Sequence, residues 1–388
     1  MMLFFALPLV AISYIGWHIW CLLPLAKGWK AVAVAVMVGC FLLTFANFSR
    51  STDGMPMPVA VFCYEVANSS LIIMLYLFML FLVLDLGRLV RLVPRTLLYN
   101  NGTTAIAITV LMTAVFVYGY LHYMDKYREE LTVTTDKPLA KPLKIVMMSD
   151  LHLGYHNRRS ELARWVDMVN AEQPDLVLIA GDIIDMSIRP IKEERMFEEF
   201  RRLKAPVYAC LGNHEYYSGE PEAQQFYRQA GIHLLQDSCA QVGDLCIIGR
   251  DDRTNQHRKS LEEIIQATNH KPTLSPSRGE GGENAPHIYS APLPSGGVGG
   301  RYLILLDHQP YNLEEAERNK IDFQFSGHTH HGQVWPISWI TDAVYECAFG
   351  PHQRGNTHYY VSSGMGIWGG KYRIGTRSEY VVLTIQNP

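Results

Sequence analysis

Lys144-Ile-Val-Met-Met-Ser-Asp-Leu-His152 is an apolar run that ends in two metal-ligand side chains, Asp150 and His152, one residue apart. Residues i and i+2 of an extended chain point to the same side. A strand carried to its tip would therefore bring this carboxylate and imidazole onto one ion. The pattern recurs in Asp175-Leu-Val-Leu-Ile-Ala-Gly-Asp182 and in Pro206-Val-Tyr-Ala-Cys-Leu-Gly-Asn213-His214. It recurs again in Arg301-Tyr-Leu-Ile-Leu-Leu-Asp-His308 and in Asp322-Phe-Gln-Phe-Ser-Gly-His328-Thr-His330. Short apolar runs bounded by turn residues read as buried strands. One Asp or His after a strand is ordinarily a turn or cap residue. Five such runs in one chain, each closing on Asp, Asn or His, call for a chemical reason.

These residues resemble the calcineurin-like metallophosphoesterases, whose pattern is D-x-H, G-D, G-N-H-D/E, a later His, and G-H-x-H. The matching residues are Asp150-Leu-His152, Gly181-Asp182, Gly212-Asn213-His214-Glu215, Asp307-His308-Gln-Pro310 and Gly327-His328-Thr-His330. The resemblance covers about residues 143 to 388. The closing Ser362-Ser-Gly-Met-Gly-Ile-Trp368 is similar to that of a bacterial branch with membrane anchors. That branch normally has Gly where this chain has His331, a departure that bears on substrate fit and not on a matched ligand.

The resemblance implies a four-layer α/β sandwich, two facing β-sheets flanked by helices, with ligands on the loops after the strands. It assigns Asp150, His152 and His330 to one metal and Asn213, His308 and His328 to the other, with Asp182 bridging. Oxygen and imidazole ligands without thiolates suit Mn, Fe or Zn. A bridging carboxylate can hold two such cations about 3.5–4 Å apart and clamp a phosphoryl group for in-line attack. His214, next to Asn213, is then the catalytic residue, stabilising the transition state or protonating the leaving oxygen. Asp185 reads as a helix cap. His156, His331 and Arg250 read either as residues that meet substrate or as ordinary exposed loop residues.

Four apolar stretches precede this region: Leu3–Leu25, Ala31–Phe48, Leu71–Leu86 and Thr103–Leu121. A helix crossing the hydrocarbon core needs about 17–25 residues, so residues 1–124 read as a membrane domain of four transmembrane helices. The first stretch lacks a basic n-region and is too long for a cleavable signal peptide. Lys27 and Lys30 lie in the first loop, Arg88, Arg91 and Arg95 in the third, and Arg50 faces Asp53 and Glu65 in the middle one. The positive-inside rule then places the catalytic part outside the cytoplasm, with Lys126 and Arg128 opposing. Residues 125–142, polar and carrying Pro138 and Pro142, read as a linker to a 143–388 phosphoesterase domain.

Within that domain, 272–300 is dense in Pro, Gly and Ser without apolar periodicity and reads as a disordered insertion. Seven cysteines show no CxxC or zinc-ribbon spacing. A net charge of −3 gives no basic footprint for nucleic acid. Together these readings describe a membrane-anchored, two-metal phosphoesterase acting on a phosphate ester or pyrophosphate. The anchor points to a lipid-linked substrate, and the metal motifs resemble those of the UDP-diacylglucosamine pyrophosphatases. The alternatives are a protein phosphatase, a nucleotide phosphodiesterase, or a membrane sensor that binds ligand without turnover.

Overall fold

A computed structural model describes residues 2–270 and 300–388; the insertion expected at 272–300 lies almost wholly outside the described residues. The chain forms two compact units, Met1–Met124 with Gly369–Ile374, and Asp125–Trp368 with Gly375–Pro388.

The first unit is helical: α1 (Met2–Leu22), α2 (Lys27–Phe48), α3 (Met57–Leu89) and α4 (Gly102–Met124). Among the described residues, three helices are long and apolar enough to cross a membrane by length and composition: Lys27–Asn47, Met57–Leu89 and Gly102–Met124. Pro8–Leu22 of α1 stands apart from these as a shorter apolar helix, so three candidate spans stand against the four expected. α3 is also longer than the Leu71–Leu86 run that announces it. Its first half carries Glu65, Asn68, Ser69 and Ser70, which interrupt the apolar pattern without breaking the helix. Asp85, the acidic residue of that run, is held by three partners. It accepts from Tyr14 Oη at 2.7 Å and Arg88 Nη1 at 2.9 Å, and lies 3.0 Å from His18 Nε2. Stray charge in apolar surroundings is costly unless it is paired and hydrogen-bonded, and this network ties α1 to α3.

The second unit is built on two six-stranded mixed sheets. Its elements are β1 (Lys126–Thr134), β2 (Leu143–Met148), α5 (Arg159–Ala171), β3 (Leu176–Ala180), α6 (Arg189–Glu193), α7 (Phe197–Phe200), β4 (Val207–Cys210) and α8 (Asn213–Ser218). There follow α9 (Glu220–Ala230), β5 (Ile232–Leu234), β6 (Ser238–Val242), β7 (Leu245–Gly249), α10 (Leu261–His270), β8 (Tyr302–Leu306), α11 (Glu314–Arg318) and β9 (Phe323–Ser326). The last are α12 (Ile337–Val344), β10 (Gly350–Arg354), β11 (Thr357–Val361) and β12 (Ser378–Gln386). One sheet runs β1-β12-β2-β3-β4-β5 and the other β10-β11-β9-β8-β7-β6.

Strands covered on both faces become continuous apolar runs, and side-chain alternation sorts each run between two cores. Ile145, Met147 and Leu178 of one sheet pack with Ile247, Ile304 and Phe325 of the other. Their neighbours Val146, Met148 and Ile179 turn outward onto α5 and α9, against Trp165, Val166 and Phe226. Cys246, Ile248 and Leu305 turn outward on the far side, onto Leu261, Ile264 and Ala316 of α10 and α11. The result is the helix–sheet–sheet–helix sandwich expected from the motifs.

The expected linker needs correction. Residues 126–134 form a nine-residue strand paired in parallel with β12 from Lys126↔Ser378 to Thr134↔Gln386. An edge strand with one solvated face alternates polar and apolar residues, and Lys-Tyr-Arg-Glu-Glu-Leu-Thr-Val-Thr therefore looks like a tether. Arg128 Nε donates to Glu172 Oε1 at 2.7 Å, and Lys144 Nζ to Glu172 Oε2 at 2.9 Å, pinning β1 and β2 to the end of α5.

Candidate metal centre

Every expected ligand sits where a parallel strand of one sheet or the other ends. Asp150 and His152 follow β2, Asp182 follows β3, Asn213 and His214 follow β4, His308 follows β8, and His328 and His330 follow β9. The loops, not the strand tips, do the converging. β2 ends at Met148, and Asp150 and His152 have φ of 54° and 43°, so the extended i, i+2 geometry expected for them is not the one adopted. Asp182, His328 and His330 share this left-handed backbone, with φ of 50°, 70° and 48°. Such conformations are uncommon for residues with a Cβ and concentrate at functional sites. The turns need glycine beside them. A Cβ on Gly327 would stand 2.2 Å from Asp150 Oδ2, and one on Gly212 would stand 2.2 Å from Asp182 Oδ1.

Two donor clusters result. In the first, His152 Nε2 and His330 Nε2 are 3.0 Å apart and lie 3.9 and 3.5 Å from Asp150 Oδ1. In the second, Asn213 Oδ1 lies 3.2 Å from His308 Nε2 and 2.9 Å from His328 Nδ1. Asp182 Oδ2 stands between them, 3.7 Å from His152 Nε2 and 3.1 Å from His308 Nε2. The seven residues predicted as ligands are thus brought together. His214 sits beside them, its ring edge-to-face with His152 at 4.5 Å.

Main-chain and side-chain bonds fix the orientations. His308 Nδ1 lies 2.7 Å from Ala180 O, an N–H donor position that leaves Nε2 free to face Asp182. The other oxygen of Asp182 accepts the His214 N–H at 2.9 Å, and the Asp150 carboxylate accepts the His328 N–H. Two further carboxylates were not identified as part of the site by the motif reading. Asp185, read as a helix cap, is buried with Oδ1 3.3 Å from both His152 Nδ1 and His214 Nδ1. A carboxylate in this position is placed to set the tautomer of the imidazoles it faces. Glu215 is buried and accepts three main-chain N–H groups, from Gly212 at 2.7 Å and from Asp182 and Ile184 at 3.0 Å. It fixes the turn that presents Asp182 against the turn that presents Asn213. The sequence offered a signal for each: the second Asp of Gly-Asp-Ile-Ile-Asp, and the last position of Gly-Asn-His-Glu.

The charges of the site act strongly on one another. Burial alone would raise the Asp182 carboxyl, but His308 and His214 outweigh it and hold it well below the usual carboxylate range. Burial lowers His308, and Asp182 reverses the sign to push it well above the ordinary imidazole value. His214 is likewise desolvated, yet Asp182 and Asp185 lift it to about 9. Burial, with His308 beside it, pushes His328 down to about 4, which leaves it neutral with a lone pair for coordination. Lone-pair donors and buried carboxylates crowded at these distances draw positive charge from wherever it is available. Imidazole and carboxylate donors of this kind fit divalent transition metals.

Three other expectations change. His156 is buried, with Nε2 2.6 Å from Ile367 O, and is not an exposed loop residue. Arg250 is also buried, donating to Asp307 at 3.1 Å and Glu315 at 2.7 Å, and so braces the strand that delivers His308. His331 stacks on Phe349 and pairs with Asp342 at 3.3 Å. All three are thus engaged in packing, hydrogen bonds or ion pairs.

Residues 143–332 match the family model described as calcineurin-like phosphoesterase. A metallophosphoesterase of Campylobacter jejuni is 29% identical over 281 residues, 71% of this chain and 68% of that protein. One from Helicobacter pylori is 28% identical over 260 residues, 66% of this chain and 63% of that protein, so the match spans about two thirds of these relatives' length. A transmembrane protein with metallophosphoesterase domain from Danio rerio is 28% identical over 341 residues, covering 80% of this chain and 70% of that one. Among solved structures, a dimetal phosphatase from Danio rerio aligns with 57% of this chain and 87% of its own at 14% identity and a TM-score of 0.33.

Proposed function

We propose that this protein is a membrane-anchored, two-metal phosphohydrolase that cleaves a phosphate ester or pyrophosphate bond of a lipid-linked substrate. The observation that carries the reading is the position of Asp182 Oδ2, shared between His152 at 3.7 Å and His308 at 3.1 Å. Asp150, His152 and His330 would hold one cation, Asn213, His308 and His328 the other, and Asp182 would bridge. Bound there, divalent cations supply Lewis acidity for the phosphoryl oxygens and for water. The chain's own part is orientation and proton transfer. Asp185 anchors Nδ1 of His214 at 3.3 Å, which leaves Nε2 to stabilise or protonate a leaving oxygen.

The apolar helices and the relatives with membrane segments support an anchor. The basic loops Lys27–Lys30 and Arg88–Arg95, against a weakly charged middle loop, favour a catalytic unit outside the cytoplasm. Lipid pyrophosphates, lipid phosphomonoesters, nucleotide diesters and a phosphopeptide, assayed against one Mn-loaded preparation in detergent, test the substrate class. The proposal expects turnover on the lipid-linked compounds above the rest. Preference for the phosphopeptide or the nucleotides would replace it, and metal-bound protein without turnover on any of them would favour a sensor.

A further inference from the structure

Beside the ligand loop, α12 is built inside out. Ser338 is buried, while Trp339, Ile340 and Val344 are exposed at 64, 62 and 60%. Ile340 and Val344, four residues apart, share one face, Trp339 lies about 100° round the helix beside it, and Trp335, 40% exposed, packs edge-to-face on Trp339 at 5.4 Å. The helix carries no basic residue, and its one acid, Asp342, is paired with His331. Contiguous exposed apolar surface of this kind marks an interaction site.

What covers it follows from how the unit is tethered. α4 ends at Met124 and β1 begins at Lys126, so one residue separates a membrane-length helix from the first strand of the sheet. That residue spans at most about 3.3–3.6 Å, so the anchor proposed above would hold the start of β1 close to a bilayer surface. Tryptophan with aliphatic neighbours and little charge suits the headgroup–acyl boundary. α12 is also locked to the ligand loop. A Cβ on Gly332 would stand 2.3 Å from Ser338 N, and Tyr345, just past the helix, sets its ring 6.3 Å from that of His328.

We propose that α12 and Trp335 form a bilayer-contact face that seats the His328–His330 loop at headgroup level, where a lipid phosphate is presented. The inference rests on the membrane anchoring proposed above. The test places p-benzoylphenylalanine, one position at a time, at Ile340, at Glu262 on the exposed side of α10, and at Val110 on the exposed side of α4. Each full-length variant is photolysed in nanodiscs of phosphatidylcholine with phosphatidylglycerol, and adducts are read by mass spectrometry. Lipid adducts from Ile340 should exceed those from Glu262 several-fold and approach those from Val110. Strong adducts at Val110 with background levels at Ile340 would overturn the docking face and leave the anchor standing. Cross-links from Ile340 to this chain or to a second copy would also overturn it, since the face would then be covered by protein. Background levels at Val110 would remove the anchor and the docking face together.

Discussion

Replacing Asp185 by Asn keeps the side-chain volume and removes the charge that two imidazoles share. Asp185 Oδ1 lies 3.3 Å from Nδ1 of both His152 and His214, and Oδ2 lies 3.9 Å from His156 Nδ1. An amide can keep one oxygen before both imidazoles but carries no charge for them to share, and its NH2 group takes the place of the oxygen near His156. The carboxylate is buried, so water does not repair the loss. Removing an outer partner of a metal-bound histidine typically costs about 10–100-fold in metal affinity or activity. That range is equivalent to roughly 1.4–2.7 kcal/mol. The effect should be confined to the Asp150–His152–His330 cluster, because His308 is held independently by Ala180 O. Metal titration of the stripped protein should therefore show one weakened site and one nearly unchanged. Turnover of a soluble phosphodiester should fall within the same range and recover partly in excess metal. If Asp185 were only a helix cap, Asn would substitute with little loss of stability and both metal affinities would stay within about twofold of wild type. That result would refute the reasoning.

Glu172 provides a second test, on stability. Arg128, with Lys144 and Tyr380, holds its carboxyl down at about 2. A carboxyl depressed in the folded state contributes stability above its unfolded value, and the contribution is lost as pH falls from about 4.5 toward 2. The full linkage value of about 3 kcal/mol shrinks to roughly 1–2 kcal/mol because the pair is partly solvated. Thermal unfolding of Glu172→Gln in detergent should show that deficit at pH 7 and a closing gap as the pH approaches 2.5; a pH-independent gap would contradict it. His214→Ala should lower kcat by about 10²–10⁴-fold with metal content retained, and most of all on substrates with poor leaving groups; equal losses on all substrates would deny it a leaving-group role. A reporter active only in the cytoplasm, fused after Pro388, should stay silent, and strong signal would reverse the proposed orientation.

What was legible in the sequence was local. Asp150-Leu-His152, Gly212-Asn213-His214-Glu215 and Gly327-His328-Thr-His330 each hold their ligands within one loop. Two-sided burial wrote the strands before them as apolar runs. Features that depend on distant partners stayed hidden. β1 pairs with β12, at the opposite end of the chain, and its polar alternation suits an edge as well as it suits a tether. Asp185 has the composition of a cap and acquires its role only when β2, β3 and β4 bring His152 and His214 to it. The backbone of the site loops departs from the expected strand geometry for a related reason. Alternation describes strands, whereas Asp150 and His152 lie in the left-handed region, where the fold over-determines them. Gly369–Ile374 joins the helical unit through close approaches such as Gly119 to Ile374, a placement that no local pattern announces.

The central claim is that Asp182 joins two cation sites into one hydrolytic centre. Its most direct test is metal content measured with turnover on the same preparations of wild type and Asp182→Asn. Wild type should carry two metal equivalents per chain, the variant should lose both activity and stoichiometric binding, and the stripped protein should hydrolyse nothing until divalent metal is restored. Near-normal turnover by Asp182→Asn with both metals retained would contradict it.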